Sequence, residues 1–155
     1  MGTTVSGSPL APFADALFTR LNADATLAAL VPGGIFAGMP ESRLVDPILE
    51  GAYVFIGHRT LGKRAGAMQR EGGNASVTVD VWSAYHGPSE VQDIQSRIRV
   101  LLQRQDLPVP GFLLYAGSLM CDDEVCFQDY HPDIPQLAAL FHGVQRWVGL
   151  LEELS

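Results

Sequence analysis

The stretch of this sequence closest to a chemical motif is residues 57–64, Gly-His-Arg-Thr-Leu-Gly-Lys-Arg, which nearly repeats the pattern of a phosphate-binding loop. That loop requires a Ser or Thr hydroxyl after its Lys to hold Mg²⁺, and a helix behind it whose amides face the phosphate. Here Arg64 takes the hydroxyl position, and the residues after it are rich in glycine. The stretch therefore indicates a basic loop and no nucleotide site.

The residues that could bind a metal or act as nucleophiles are also badly spaced for that chemistry. Closed zinc sites pair cysteines two to four residues apart, with a second pair downstream, whereas Cys121 and Cys126 are five apart and have only His131 nearby. The chain has no Gly-x-Ser-x-Gly turn, and its four histidines lack sequence partners that would identify a catalytic triad. We therefore predict no catalytic residue, no metal site, no cofactor and no enzymatic activity.

The two cysteines are predicted to be free thiols. On a continuous strand, residues five apart face opposite sides of the sheet, so Cys121 and Cys126 could not form a disulfide without a turn between them. Proteins of the cytosol also rarely keep such bonds.

Charge is distributed unevenly along the chain. The formal net charge is −7, which predicts repulsion from nucleic-acid phosphates, so specific DNA binding is disfavoured. Four of the ten Lys and Arg residues nevertheless cluster within 59–70, and four carboxylates cluster within 122–129. The charge distribution therefore indicates a soluble acidic domain with one basic segment and one strongly acidic segment.

Residues 73–103 carry the clearest structural pattern. Apolar and polar residues alternate over 76–85, which predicts a strand with Val77, Val79 and Val81 on its buried face. Apolar residues then recur at helical spacing, which predicts an amphipathic helix with a buried face of Val91, Ile94, Ile98, Leu101 and Leu102. Ser89 and Gln92 have the spacing of a capping box at its start.

The segments before this pair predict two helices and two strands. Pro9 or Pro12 can begin a first helix, and Asp24 can cap a short second one. Residues 35–40 are predicted to form a short edge strand. Residues 52–58 are apolar on both faces, which predicts a central strand paired with 76–85.

The remaining segments are loops and C-terminal strands. Residues 41–51 read as a loop, and 60–75 contains four glycines and no periodic apolar face, which predicts a long mobile loop. Residues 112–127 fit one strand or a hairpin bent near Asp122. Residues 137–152 fit a helix and a strand equally well by periodicity.

The length of 155 residues fits one domain, which we place at 10–155 behind a flexible N-terminal tail at 1–9. No apolar run approaches the roughly 20 residues needed to span a bilayer, so no membrane association is predicted. The first nine residues lack the apolar core of an export signal, so the protein is expected to remain in the cytoplasm where it is made.

Four stretches resemble the tail-terminator and tail-completion proteins of long-tailed bacteriophages. Residues 17–36 are similar to the opening of that family, with a first helix, an Asp-Ala turn, a short helix and a Gly-Gly-Ile step. Residues 53–57, 77–83 and 142–147 resemble later pieces of it, whereas 106–135 departs from its pattern.

This resemblance implies an α+β fold: a single-domain, mixed but mainly antiparallel sheet of about four strands with helices packed on it, in which residues from about 141 form the last strand. It also implies a structural virion protein, assembled in the host cytoplasm, whose copies form a homohexameric ring at the head-proximal end of the tail. The implied partners are the tail-tube protein and a head-tail connector or neck protein, with DNA passing through the channel without specific binding. The competing hypotheses are another neck component, or a small ligand-binding or enzymatic α+β domain.

A ring requires two different patches on each subunit, because a surface on one copy must complement a different surface on the next. The basic and acidic segments are candidates for these patches. The candidate assembly interface is therefore Arg59, Lys63, Arg64, Arg70, Asp122, Asp123, Glu124 and Asp129. The alternative is that the basic loop docks on the tail tube.

Overall fold

The structure, a computed structural model, describes residues 8–38, 51–62, 72–83, 88–129 and 140–154, and these residues form three helices and six strands. The elements in chain order are α1 (Leu10–Asn22), α2 (Ala25–Leu30), β1 (Ile35–Phe36), β2 (Tyr53–Gly62), β3 (Gly72–Ser83), α3 (Ser89–Leu102), β4 (Phe112–Leu114), β5 (Met120–Asp129) and β6 (Leu140–Glu153).

The strands form one sheet in the order β1-β2-β3-β6, and the far edge of β6 is shared by β5 and β4. Only β1 and β2 run parallel, and the other pairs are antiparallel. The α+β class and the mainly antiparallel sheet are therefore confirmed, but the sheet has more strands than the predicted four. The short edge strand predicted at 35–40 is present as the two-residue β1, whereas the three-residue β4 is too short to show an alternating pattern.

The first two helices pack as their sequences predict. Phe13, Leu17 and Leu21 lie on one face of α1 and are fully buried. The carboxylate of Asp24 caps α2 by accepting a hydrogen bond from the Leu27 amide at 2.8 Å. The same carboxylate accepts two more from the Arg97 guanidinium of α3, at 2.9 and 2.7 Å, and this arginine holds the pKa of Asp24 below its usual value. One side chain thus caps the start of α2 and ties it to α3.

The buried face of α3 is confirmed, whereas its predicted capping box is wrong. Val91, Ile94 and Ile98 are fully buried against the sheet. The N-cap position is Pro88, and no side chain caps it; Ser89 is already the first helical residue, so its hydroxyl is one position too late to cap. Next to it, Glu90 accepts a hydrogen bond from the Ser83 hydroxyl at 2.7 Å, which joins the start of the helix to the end of β3.

Two glycines in β6 allow α3 and α1 to pack closely against the sheet. A Cβ atom on Gly143 would lie 2.4 Å from Cγ1 of Val91 and 2.5 Å from Nε2 of Gln95, both on α3. A Cβ atom on Gly149 would lie 2.9 Å from the ring of Phe13 on α1. The last segment, β6, is a strand, as the resemblance implied. Its two glycines lie where α3 and α1 cross it.

The β2–β3 hairpin extends further than the sequence predicts. Thr60, Leu61 and Gly62 pair with Ser76, Ala75 and Asn74, so both ends of the predicted 60–75 loop are paired strand. Glycines there do not prevent pairing, because β3 is held from its other side by β6 as far as Gly72. Residues 63–71 lie outside the described residues, as do 1–7 of the predicted tail, 39–40 of the predicted edge strand and 41–50 of the predicted 41–51 loop.

The segment 112–127 is a strand, a turn and a second strand, so the predicted bend near Asp122 is wrong. A bulge is found there instead: Cys121 pairs with Trp147, whereas Asp123 pairs with the adjacent Arg146. This extra residue turns Cys121 and Cys126 to the same face, against the prediction of opposite faces. Both cysteines are free thiols, as predicted, and both are partly buried against the core.

The helices in the described part of the chain are all too short or too polar to cross a membrane.

Candidate assembly surface

The acidic segment lies on β5, at one edge of the sheet. Asp122 occupies the bulge, and its carboxylate lies 3.7 Å from Nε of Arg146 on β6. Both side chains are about half exposed, and an ion pair this open to water contributes little stability. The pair therefore orients Asp122 without removing it from the surface.

Glu124 is tied into its own subunit. Its carboxylate accepts short hydrogen bonds from Arg99 of α3 and from the amide of Gln145 on β6. The same Gln145 amide donates to the Gln95 carbonyl at 3.0 Å, and the indole of Trp147 donates to the Gln145 side-chain oxygen at 3.3 Å. These contacts bind α3, β5 and β6 together, so Glu124 has a structural role that its sequence position did not reveal.

Asp123 is the acidic residue most available to a partner. Its side chain is exposed, and it forms no ion pair with another of the described residues. Asp129 ends β5, and its side chain lies outside what the structure describes.

The basic segment begins on the other side of the sheet. Arg59 is exposed on β2 and donates from Nη2 to the backbone oxygen of Ala37 at 3.3 Å. Lys63, Arg64 and Arg70 lie outside the described residues. Two strands, β3 and β6, separate β2 from β5, so the backbone of Arg59 is about 14 Å or more from that of the acidic residues on β5 within one subunit. The role of the eight charged residues as an interface stays a prediction.

A row of rings crosses the sheet face opposite the helices. His142 on β6 pairs with Trp82 on β3 and with Phe127 on β5. Its ring stacks on Trp82 with 4.0 Å between centroids and lies 5.0 Å from the Phe127 ring. The Phe127 side chain is 43% exposed. This row has no signal in the sequence, because it depends on the register between three strands that lie far apart in the chain.

Asp80 lies beside this row, and its burial makes folding sensitive to pH. Burial raises the pKa of its carboxyl from 3.8 to about 6, against the opposing effect of a Thr78 hydrogen bond. The folded protein therefore holds this proton more tightly than the unfolded chain does. The stabilisation that comes from binding this proton is complete below about pH 4 and is lost as the pH rises through 6.

The substitution Asp80→Asn is expected to remove that pH dependence. Between pH 4 and pH 7, the free energy of unfolding of the wild type should fall relative to the variant by about 2 kcal/mol. The full pKa shift of Asp80 corresponds to slightly more than this. However, Nε2 of His142 lies 4.0 Å from the Asp80 carboxylate, and a protonated His142 offsets part of the cost of burying the ionised carboxylate. Urea denaturation at several pH values measures the difference. Asp123→Asn, at an exposed position, is the matched control, and parallel pH profiles for the Asp80 variant and the wild type would contradict the expectation.

The competing ligand-binding hypothesis can be compared with an apolar groove lined by described residues. It has a volume of about 420 Å³ and lies between α1 and the segment 107–110. Ala16, Leu107 and Pro108 form its walls. A specific ligand site needs several polar groups that converge on its interior. This groove is lined mainly by apolar atoms, and no cluster of three or more metal-binding side chains occurs among the residues that the structure describes.

Comparison with known families identifies the chain. A family model described as tail completion protein gp17 matches residues 15–125, well over half of the sequence. The chain belongs to this family. Its membership makes it a structural protein of the phage virion, located in the tail, where it assembles with other tail and head proteins. The family that the sequence resembled is thus confirmed.

A solved structure supports the fold independently. A chain from the virion of a native gene transfer agent particle matches with a TM-score of 0.72 and 18% sequence identity. The match covers 97% of this chain and 99% of that one. No curated protein sequence matches the chain. At this identity the structural match shows a shared fold over nearly all of the chain.

Proposed function

We propose that this tail completion protein forms a homohexameric ring at the head-proximal end of the tail. The ring stops polymerisation of the tail tube and provides the surface that the head joins. Its partners are then copies of itself, the tail-tube protein on one side and a connector or neck protein on the other. This role needs no catalytic residue, because each step is the burial of a surface against a partner.

The observation that carries the proposal is the separation of the two charged segments across the sheet. In a cyclic assembly each subunit contributes two different, complementary patches. Arg59 lies on β2 and Asp123 on β5, with two strands between them, so these two side chains cannot pair within one subunit. A neighbouring copy brings the opposite charge to each.

The overall acidity fits the passage of DNA through the ring. Lysines and arginines in a channel bind phosphates and release counterions, which would hold the DNA in place. A net charge of −7 works against such binding. Four of its ten Lys and Arg residues lie in one short segment, 59–70, which lets the protein use that charge for assembly.

Charge reversal at Arg64 tests the proposal. Arg64→Glu is expected to slow ring formation by about tenfold at low salt and to reduce its salt dependence, because exposed charges act mainly on the association rate. The double variant Ala28→Glu, Ala29→Glu is the matched control, since it changes the net charge equally at exposed positions of α2. Light scattering follows the rate, electron microscopy shows the rings, and circular dichroism checks the fold.

A second substitution locates the contact. Recovery of assembly when Asp123→Lys is added to Arg64→Glu places the contact between subunits. Normal rings on tails that are overlong or not joined to heads place Arg64 on the tube or connector. Unchanged rings, salt dependence and tails would exclude the basic segment from the mechanism. A wild-type protein that stays monomeric on tube ends would overturn the ring itself.

A further inference from the structure

Three hydrogen bonds show which neighbouring strand the backbone N–H and C=O groups of each β6 residue face. The Leu150 amide donates to the Ser118 hydroxyl at 3.2 Å, and the Leu150 carbonyl accepts from the Tyr115 amide at 3.0 Å. Just beyond the strand, the Leu154 amide donates to the Gly111 carbonyl at 3.0 Å. Successive residues of a strand direct these groups to alternate edges. Even-numbered residues of β6 therefore face β4 and β5, and odd-numbered residues face β3.

The same alternation passes to β5 through its register. Val125 and Phe127 pair with the even-numbered residues Val144 and His142, so their backbone groups are directed at β6. The residues between and beside them pair with odd-numbered partners and turn their backbone groups to the open edge: Glu124, Cys126 and Gln128. Cys121 provides a check on this assignment. Its partner is the odd-numbered Trp147, and its amide indeed turns away from β6 to donate to Oε1 of Gln103 at 3.1 Å.

The opposite edge of the sheet is open only beyond β1. β1 pairs with Val54 and Phe55, and the Val54 amide donates toward it, to the Gly34 carbonyl at 3.0 Å. By alternation the backbone of Ile56 also faces β1 and completes this parallel pairing, so the open part of the edge begins after the bulge. After the bulge in β2, Arg59 and Leu61 pair with residues of β3 that face β6, so they turn outward.

Among the described residues, five face outward at these two edges with no strand paired to them: Arg59 and Leu61 on β2, and Glu124, Cys126 and Gln128 on β5. Side chains at the β5 edge are also accessible, since Val125 and Phe127 are both 43% exposed. Open edges of this kind are ready templates for pairing with another strand.

The directions of the strands match the two edges to each other. The long strands β2, β3, β6 and β5 lie side by side and each runs antiparallel to the next, so β2 and β5 run in opposite directions. Rotation about a ring axis preserves the direction of each strand relative to that axis. A β5 placed beside the β2 of the next copy is therefore antiparallel to it, which is the more stable arrangement for a pair.

We infer that neighbouring copies join by strand addition, with the outward edge of β5 on one copy pairing antiparallel with the outward edge of β2 on the next. This inference rests on the proposed ring and names the contact that closes it. Charge favours this pairing over others, because β5 carries Asp122, Asp123 and Glu124 while β2 carries Arg59. Two β5 edges would bring like charges together, so the acidic strand selects β2.

Hydrogen exchange tests the contact in the wild-type protein. The amides of Phe127 and Val125 are bonded to β6 and should be protected in both monomer and ring. The amides of Cys126 and Gln128 should exchange rapidly in the monomer and at least about tenfold more slowly in the ring. Exchange quenched at intervals and read by NMR after dissociation of the ring gives each rate. Equal rates for Cys126 and Gln128 in monomer and ring would overturn strand addition.

A substitution tests whether the edge is needed. Gln128→Pro removes one outward amide and no hydrogen bond within the subunit, so the fold should survive, as proline does on edge strands. Its ring formation should weaken at least about tenfold relative to Gln128→Ala, which removes the side chain and keeps the amide. Normal rings from a folded Gln128→Pro variant would overturn strand addition and leave the ring intact. Absence of rings from the wild type would instead overturn the proposed function, and this inference with it.

Discussion

Replacing Trp147 with Ala is expected to lower the free energy of unfolding by about 3–5 kcal/mol. Trp147 lies on β6 between its partners Val77 of β3 and Cys121 of β5, and its side chain is fully buried. Removing the indole leaves a cavity at the centre of the sheet, where strands held on both sides cannot move in to fill it. The loss of transfer energy and the cavity then add.

A lost hydrogen bond raises the expected effect toward the upper end of that range. The indole N–H is the donor to the side-chain oxygen of Gln145, at 3.3 Å, and Gln145 is fully buried. Without the indole this oxygen loses that donor in a site closed to water, which costs about 1–3 kcal/mol. Gln145 also contacts Glu124, so the effect should reach the junction of α3 and β5.

Urea denaturation followed by far-UV circular dichroism measures this effect without relying on the fluorescence of the removed side chain. Trp147→Phe is the matched control, because it keeps an apolar ring and lacks only the donor and part of the volume. Its loss should be smaller than that of Trp147→Ala. A loss below about 1 kcal/mol for the alanine variant would contradict the burial of Trp147.

Regular periodicity accounts for what the sequence predicted well. The buried face of α3 and the alternation in β3 each repeat over many residues, so their packing partners could be assigned without knowing the fold. Asp24 was also predictable as a cap, since N-capping depends on a few neighbouring residues. Its second role, as the partner of Arg97, joins residues 73 positions apart and has no local signal.

A single inserted residue explains the main error about β5. The prediction that Cys121 and Cys126 face opposite sides assumed an unbroken alternation. The bulge at Asp122 adds one residue and reverses the facing of all that precede it. Bulges leave no reliable mark in a single sequence. Here the acidic run that contains the bulge indicated a bend equally well.

The candidate surface was predictable in composition and not in connectivity. The sequence showed a basic and an acidic segment, but Glu124 lies among acidic neighbours and still makes its contacts with Arg99 and Gln145 of its own subunit. The open edges of β2 and β5 are also invisible in the sequence, because an edge is defined by which strands are absent beside it. The charged segments and the open edges coincide only once the strand order is known.

Helix α3 presses one row of side chains onto this sheet, and Ile98 lies in the middle of that row. Its side chain is fully buried, together with Ile94 one turn before it and Leu102 one turn after it. The substitution Ile98→Ala is expected to lower the free energy of unfolding by about 2–5 kcal/mol through lost transfer energy and a residual cavity. Gly143 already lets α3 lie close to β6, which limits how far the helix can move to fill the cavity left by Ile98→Ala.

Two further variants on the same helix separate burial from helix propensity. Ile98→Val removes one methylene group and should cost about 0.5–1.5 kcal/mol, whereas Val100→Ala should stay within about 0.5 kcal/mol of the wild type. The Val100 side chain is 62% exposed, so its substitution changes the helix without opening the core. Urea denaturation of the three variants measures the series. An Ile98→Ala loss below about 0.5 kcal/mol, or a loss equal to that of Val100→Ala, would contradict the position of α3 on the sheet and with it the polar contacts that hold β5 as the edge strand.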